Sequence, residues 1–194
     1  MAIRSFIAIE LPGDIQEALG RIQDRLRSAE AQVGWVNPCN IHLTTKFLGY
    51  VAEPDIPKVC EVMKSAVRHT GPFELEVAGL GTFPPTGTPR VVWCGVRGEL
   101  EPLAKLVEEI EQGVADAVGI RPEHRPYHAH LTLGRVKSAR NAERLKAAML
   151  ECEPAEAGSF TADGITLFMS QLRSEGSIYT PMAEMKFGGP QGKT

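Results

Sequence analysis

An α+β fold built from two similar halves is what this chain predicts, and three observations predict it. Short β-rich runs alternate with apolar stripes at helical spacing. The order strand, helix, strand, histidine occurs twice, from Arg4 to His42 and from Arg90 to His130, over intervals of 38 and 40 residues. The same tripeptide closes both halves, as His42-Leu43-Thr44 and His130-Leu131-Thr132. Identity between the halves is low elsewhere, so the repeat is one of plan. A pseudo-twofold relating two such units would face the two histidine strands into one cleft.

The elements follow in order. Arg4 to Glu10, rich in Ile and Phe, reads as a strand. A helix spans about Asp14 to Ala31, its inward stripe being Ile15, Ala18, Leu19, Ile22 and Leu26. Gly34 to Val36 reads as a short strand, Asn37-Pro38 as a turn and Ile41 to Gly49 as a strand. A second helix runs from about Glu53 to His69, with Pro54 near its start. Phe73 to Gly81 is the next strand, and the Pro- and Gly-bearing segment Phe83 to Pro89 is a loop. The second half repeats this plan. It has a strand from Arg90 to Val96, a helix from Glu101 to Val118, a polar loop from Arg121 to Pro126 and a strand from His128 to Arg135. A helix from Asn141 to Leu150 and two closing strands, Phe160 to Leu172 and Ser177 to Phe187, complete residues 1–187 as a single domain of two lobes. The last seven residues, 188–194, read as a flexible tail.

Composition narrows the function classes. A chain of 194 residues can form one substantial core, or two small lobes sharing one. Its 43% hydrophobic and 23% charged content is ordinary for a globular protein. No apolar run approaches the roughly 18 residues of a membrane span. The apolar N-terminal stretch ends at Glu10 with no small-residue cleavage site behind it, so a cytoplasmic address is expected. Cys39, Cys60, Cys94 and Cys152 are widely and irregularly spaced, which argues against metal fingers, redox pairs and a disulfide framework. A net charge of −3 argues against a grip on long duplex and leaves room for a local contact with an RNA end or a small nucleotide.

The chemistry sits in the two histidine strands. Alternate residues of a strand share a face. Strict alternation therefore puts His42, Thr44 and Lys46 on one side and Leu43, Thr45 and Phe47 on the core side. Likewise His130 and Thr132 oppose Leu131 and Leu133. Histidine serves as general acid or general base near neutral pH. Two histidines from opposite sides suit in-line displacement at phosphorus, one at the attacking water and one at the leaving oxygen. The threonine hydroxyls can donate to non-bridging phosphate oxygens, and Arg135 or Lys46 can neutralise the remaining charge.

Other residues carry weaker signals. Phe6, Trp93 and Tyr127 can stack on a base or sit in the core, and Arg4 and Arg90 open equivalent strands within reach of a phosphate. Ser170 and Tyr179 lie in the closing pair of strands. Glu108, Glu109 and Glu111 read as a solvated helix face, and His69 as a helix C-terminal residue. His124, His128 and His130 are close in sequence, but no carboxylate or cysteine completes a familiar zinc set. No metal and no cofactor is expected, and nothing demands a dimer.

These motifs resemble the 2H phosphoesterase superfamily, and within it the RNA 2′,3′-cyclic phosphodiesterase (2′-5′ RNA ligase-like) family. The resemblance runs through RSFIAIELP, HLTTKFLG, RVVWCGV, HAHLTLGRV and ITLFMSQLRSEGSIYTPM, nearly the whole chain. It implies a bilobal α+β fold whose two antiparallel sheets line a central cleft, with helices outside. It further implies metal-independent opening of a 2′,3′-cyclic phosphate on RNA or a nucleotide to a 2′-phosphomonoester. His42 would be the proton donor, His130 the proton acceptor, and Thr44, Thr132 and Arg135 the phosphate holders. The residues alone leave that polarity open. Ala129 stands where the family often has proline. Two other readings stay open: 2′-5′ joining of RNA ends, and a non-catalytic RNA-end binding module.

Overall fold

The computed structural model describes residues 1–173 and 176–188. The proposed tail therefore falls almost wholly outside the described residues. Strand β1 (Ala2–Ile9) is followed by helix α1 (Gly13–Arg27), β2 (Val33–Trp35), β3 (Leu43–Ala52), α2 (Ile56–Arg68) and β4 (Phe73–Phe83). Then come β5 (Val91–Gly98), α3 (Leu100–Val118), β6 (His130–Val136), α4 (Ala142–Cys152), β7 (Glu156–Ala162), β8 (Gly164–Arg173) and β9 (Gly176–Lys186). The helices lie where the apolar stripes put them. Ile15, Leu19, Ile22 and Leu26 of α1 are buried, as are Leu103, Leu106, Val107 and Ile110 of α3. Helix α3 ends at Gly119, which takes the left-handed conformation that caps a helix (φ 71°).

One predicted strand is two. Phe160 to Leu172 divides at Asp163, and the halves enter different sheets: β7 pairs with β4, and β8 with β1. Asp163-Gly164, a turn-type pair inside an apolar run, marks the break.

Two antiparallel sheets result, with strand orders β3-β1-β8-β9 and β2-β6-β5-β4-β7. Without β2, the second order matches the first position for position as β6-β5-β4-β7. The histidine strands β3 and β6 are thus equivalent. The helices cross over: α2 and α3 pack together over the first sheet, while α1 and α4 pack over the second. One cluster of buried side chains runs through both sheets, including Ile7, Leu43 and Leu167 of the first and Val92, Leu131 and Phe160 of the second. No described helix is long and apolar enough to cross a membrane. All four cysteines are free, and burial pushes the Cys94 thiol up to about 12.

Candidate active site

Both histidines are pinned in the same way. The carbonyl of Asn40 lies 2.8 Å from His42 Nδ1, and that of His128 lies 2.7 Å from His130 Nδ1. A carbonyl only accepts, so each ring carries its proton on Nδ1 and leaves Nε2 for chemistry. In each half the carbonyl belongs to the residue two before the histidine.

Their surroundings differ. His42 stacks on Phe6, with ring centroids 4.6 Å apart, and Tyr179 meets it edge-on at 5.2 Å. Phe168 backs Phe6 at 5.2 Å. Burial in this aromatic nest lowers the His42 pKa to about 4, offset in part by the Asn40 carbonyl. His130 meets Phe83 edge-on at 4.9 Å, with Trp93 and His128 beside it. Its pKa is lowered too, first by burial and then by the nearby charges of His128 and Arg135, against the raising effect of the His128 carbonyl.

A bulge in each histidine strand rewrites the expected faces. Along β3, Ala8 pairs with Thr44 and Ile7 with Lys46, so Thr45 is an extra residue, and its hydroxyl donates to the Ile7 carbonyl at 3.1 Å. Beyond an inserted residue the alternation inverts. Lys46 therefore turns inward: its side chain is 1% exposed, and Nζ lies 2.6 Å from Glu111 Oε2 and 3.2 Å from the Arg121 carbonyl. It is engaged away from the phosphate position, and Glu111 is its partner rather than part of a solvated face. Phe47, expected in the core, is 53% exposed on the histidine side, near Phe6. In β6 the shift falls between Val92 and Trp93, leaving Leu133 as the extra residue. Arg135 is thereby carried to the face of His130 and Thr132. It corresponds to Phe47, and Lys46 corresponds to Gly134, so the basic residues trailing the two motifs are not equivalents.

The remaining expected site residues divide. Phe6 is 1% exposed and serves as the floor under His42, which rules it out as a base-stacking face. Arg4 lies on the same side of β1 as Phe6 and donates to Ser170 Oγ at 2.5 Å. Arg90 does not match it. Trp93 faces Thr132 as Ala8 faces Thr44, so the counterpart of Arg4 is Pro89. Arg90 is exposed and by alternation falls on the side of Val92. The Tyr127 hydroxyl donates to the Thr44 carbonyl at 2.9 Å, a bond from the segment before His130 to the other histidine strand. The Trp93 indole lies over Gly81, where any β-carbon would come within 2.1 Å of the ring, and its Nε1 has no partner among the described residues. Sequence reasoning missed a cavity of about 190 Å³ beside His42, walled by Glu10, Gln16, Asn40, Phe168 and Tyr179. Glu10, the charged residue that interrupts the apolar run just past the end of β1, is a sign of it in the sequence. Among the described residues, no three His, Cys, Asp or Glu side chains gather in a way that can hold a metal ion.

Two halves with equivalent, identically pinned histidines and matching bulges predict a sequence signature that occurs twice, and it does. The family model described as LigT like Phosphoesterase matches residues 9–93 and again residues 96–179. The chain belongs to the LigT-like phosphoesterase family. Among its relatives is a Methanothermobacter thermautotrophicus protein named RNA 2′,3′-cyclic phosphodiesterase, 38% identical over 182 residues, covering 94% of this chain and 97% of the relative. An Aeropyrum pernix protein of the same name is 35% identical over 168 residues, covering 87% of this chain and 94% of that one. The crystal structure of a Thermus thermophilus protein superposes with a TM-score of 0.79 at 28% identity, covering 96% of this chain and 98% of the other. In this LigT-like chain both His-x-Thr pairs are intact, at His42 and Thr44 and at His130 and Thr132.

Proposed function

We propose that this LigT-like phosphoesterase hydrolyses the 2′,3′-cyclic phosphate of an RNA end or a small nucleotide to a 2′-phosphomonoester. The observation that carries the reading is the pair of equivalent histidines whose Nδ1 protons are both committed to carbonyls. Each then offers a single reactive nitrogen from an equivalent strand. The names of the relatives supply the substrate class.

In this reading His130, neutral in the free protein, takes a proton from water through Nε2. The water oxygen bonds to phosphorus as the bond to O3′ breaks, and O3′ takes a proton from His42. The product keeps phosphate on O2′, and both rings return to their starting protonation by exchange with solvent. His42 gains its proton with the substrate, because a phosphodiester anion brought against a desolvated ring favours the imidazolium. The Thr44 and Thr132 hydroxyls and the Arg135 guanidinium hold the non-bridging oxygens, where negative charge grows in the transition state. Phe47 offers an exposed aromatic face on the same side. The protein supplies position and protons, with no cofactor in the scheme.

The test is incubation of the protein with a short RNA ending in a 2′,3′-cyclic phosphate, in the presence of EDTA, followed by product analysis. A 2′-phosphate product is expected. A 3′-phosphate product reverses the orientation of the substrate between the histidines. No turnover by folded protein overturns the reading.

A further inference from the structure

We propose that Lys46, Glu111 and Tyr127 form a tether that sets where His130 stands relative to His42, which makes them positioning residues for the reaction. The inference rests on the roles given to the two histidines above.

His130 is the first residue of β6, paired with Gly95. The stretch between α3 and His130 has neither helix nor strand, so no ladder fixes its approach. What holds it is the other sheet. Lys46 Nζ on β3 donates to Glu111 Oε2 at 2.6 Å and to the Arg121 carbonyl at 3.2 Å, and the Glu123 amide donates to the same Oε2 at 3.2 Å. Six residues beyond Arg121, the Tyr127 hydroxyl reaches the Thr44 carbonyl at 2.9 Å. Tyr127 is bonded to His128, whose carbonyl receives the Nδ1 proton of His130. The path from Thr44 to the His130 ring is therefore two hydrogen bonds and a short piece of backbone.

The approach to His42 in the first half reaches the opposite sheet by main chain, through β2 paired with β6 and the Val36 amide donating to the Leu133 carbonyl at 2.9 Å. His42 is held by the Asn40 carbonyl, and Asn40 Nδ2 donates to the Ser177 carbonyl of β9 at 3.1 Å. The approach to His130, by contrast, has no strand of its own and is held to the other sheet by the side chains of Lys46, Glu111 and Tyr127. The Lys46–Glu111 pair is also nearly enclosed, with side chains 1% and 17% exposed. Enclosing two charges gains little net stability and gains geometry when each has a second fixed bond, as here. The bulge at Thr45 turns Lys46 into this position.

A displacement near 1 Å in a reacting group can lower the rate by about 10². The test measures kcat, KM and melting temperature for Y127F, for the double variant K46M/E111M and for K46R on the cyclic-phosphate RNA. The double variant avoids leaving one charge buried without its partner. Y127F and K46M/E111M are each expected to lower kcat about tenfold or more with KM within about twofold of wild type, and K46R to recover part of the loss. Values of kcat within twofold of wild type in both variants overturn the inference, as does a loss confined to KM. If the wild-type protein leaves this RNA intact, the proposed function fails separately, and the tether is read by NMR. The His130 Hε1 resonance is then expected to move in Y127F while that of His42 stays; an unmoved His130 resonance overturns the inference.

Discussion

His42 and His130 share a tripeptide, a place at the start of equivalent strands and an Nδ1 bond to a carbonyl, yet their environments diverge. His42 lies in a closed nest of Phe6, Phe168 and Tyr179. His130 stands in a more open corner made by Phe83, Trp93 and His128, with Arg135 on its face. The residue five positions beyond the histidine is Phe47 in one motif and Arg135 in the other. A duplicated scaffold thus fixes what both halves need, the ring tautomer and the threonine. The residues around the rings then separate the roles: a fixed cation on the His130 side, and a neutral nest on the His42 side whose proton arrives with the substrate anion.

The largest expected effects lie at the two rings. His42→Ala and His130→Ala are each expected to lower kcat by about 10²–10⁴, read in single-turnover assays on cyclic-phosphate RNA. Retention of wild-type rate by either variant breaks the pairing of acid and base. Next is the asymmetry of the trailing residues. Arg135→Met is expected to lower kcat/KM by about 10², as when one preorganised donor is removed from a developing charge. A negligible effect at Arg135 would remove the difference drawn between the motifs.

The pH profile sharpens the comparison. The reacting state has His42 charged and His130 neutral, a minor form of the free enzyme that the bound anion favours. Both pKa values lie below 6.5, and that of His42, about 4, carries the larger shift. That state is most populated between the two values. The kcat/KM optimum is therefore expected on the acidic side of pH 6.5, falling on the alkaline side. The limbs of kcat move to higher pH, because the bound anion raises both rings. An optimum of kcat/KM above about pH 8 contradicts this electrostatic reading.

The smallest effect is on stability. His42 has a depressed pKa in the folded protein, so as pH falls the unfolded chain takes up its proton first. The stability contributed by the neutral ring is complete above about 6.5 and is lost as pH falls toward 4. His42→Phe keeps an aromatic ring in the nest without the proton. Its melting temperature is expected to fall less between about pH 7 and about pH 4.5 than that of the wild type, as calorimetry can show.

Much of this was legible in the sequence. The helices follow from their apolar stripes, and the two histidine–threonine pairs follow from their repetition. The bulges were not legible, because counting by twos assumes an uninterrupted ladder. One extra residue at Thr45 exchanged Lys46 and Phe47 between core and cleft, and one at Leu133 brought Arg135 to the histidine face. Phe6 illustrates a second limit. Its apolar strand position was plain, but stacking beneath His42 depends on a neighbour 36 residues away. Arg90 fails for a third reason: aligning the halves on their first arginines puts β5 out of step by one residue, which changes the face.

The most direct measurement replaces the 3′ bridging oxygen of the cyclic phosphate with sulfur. A thiolate leaves without being protonated, so the general acid becomes dispensable while the general base does not. This substrate is expected to restore most of the activity lost in His42→Ala and to restore none in His130→Ala. Rescue of His130→Ala instead, or of neither variant, contradicts the assignment of His42 as the acid and His130 as the base.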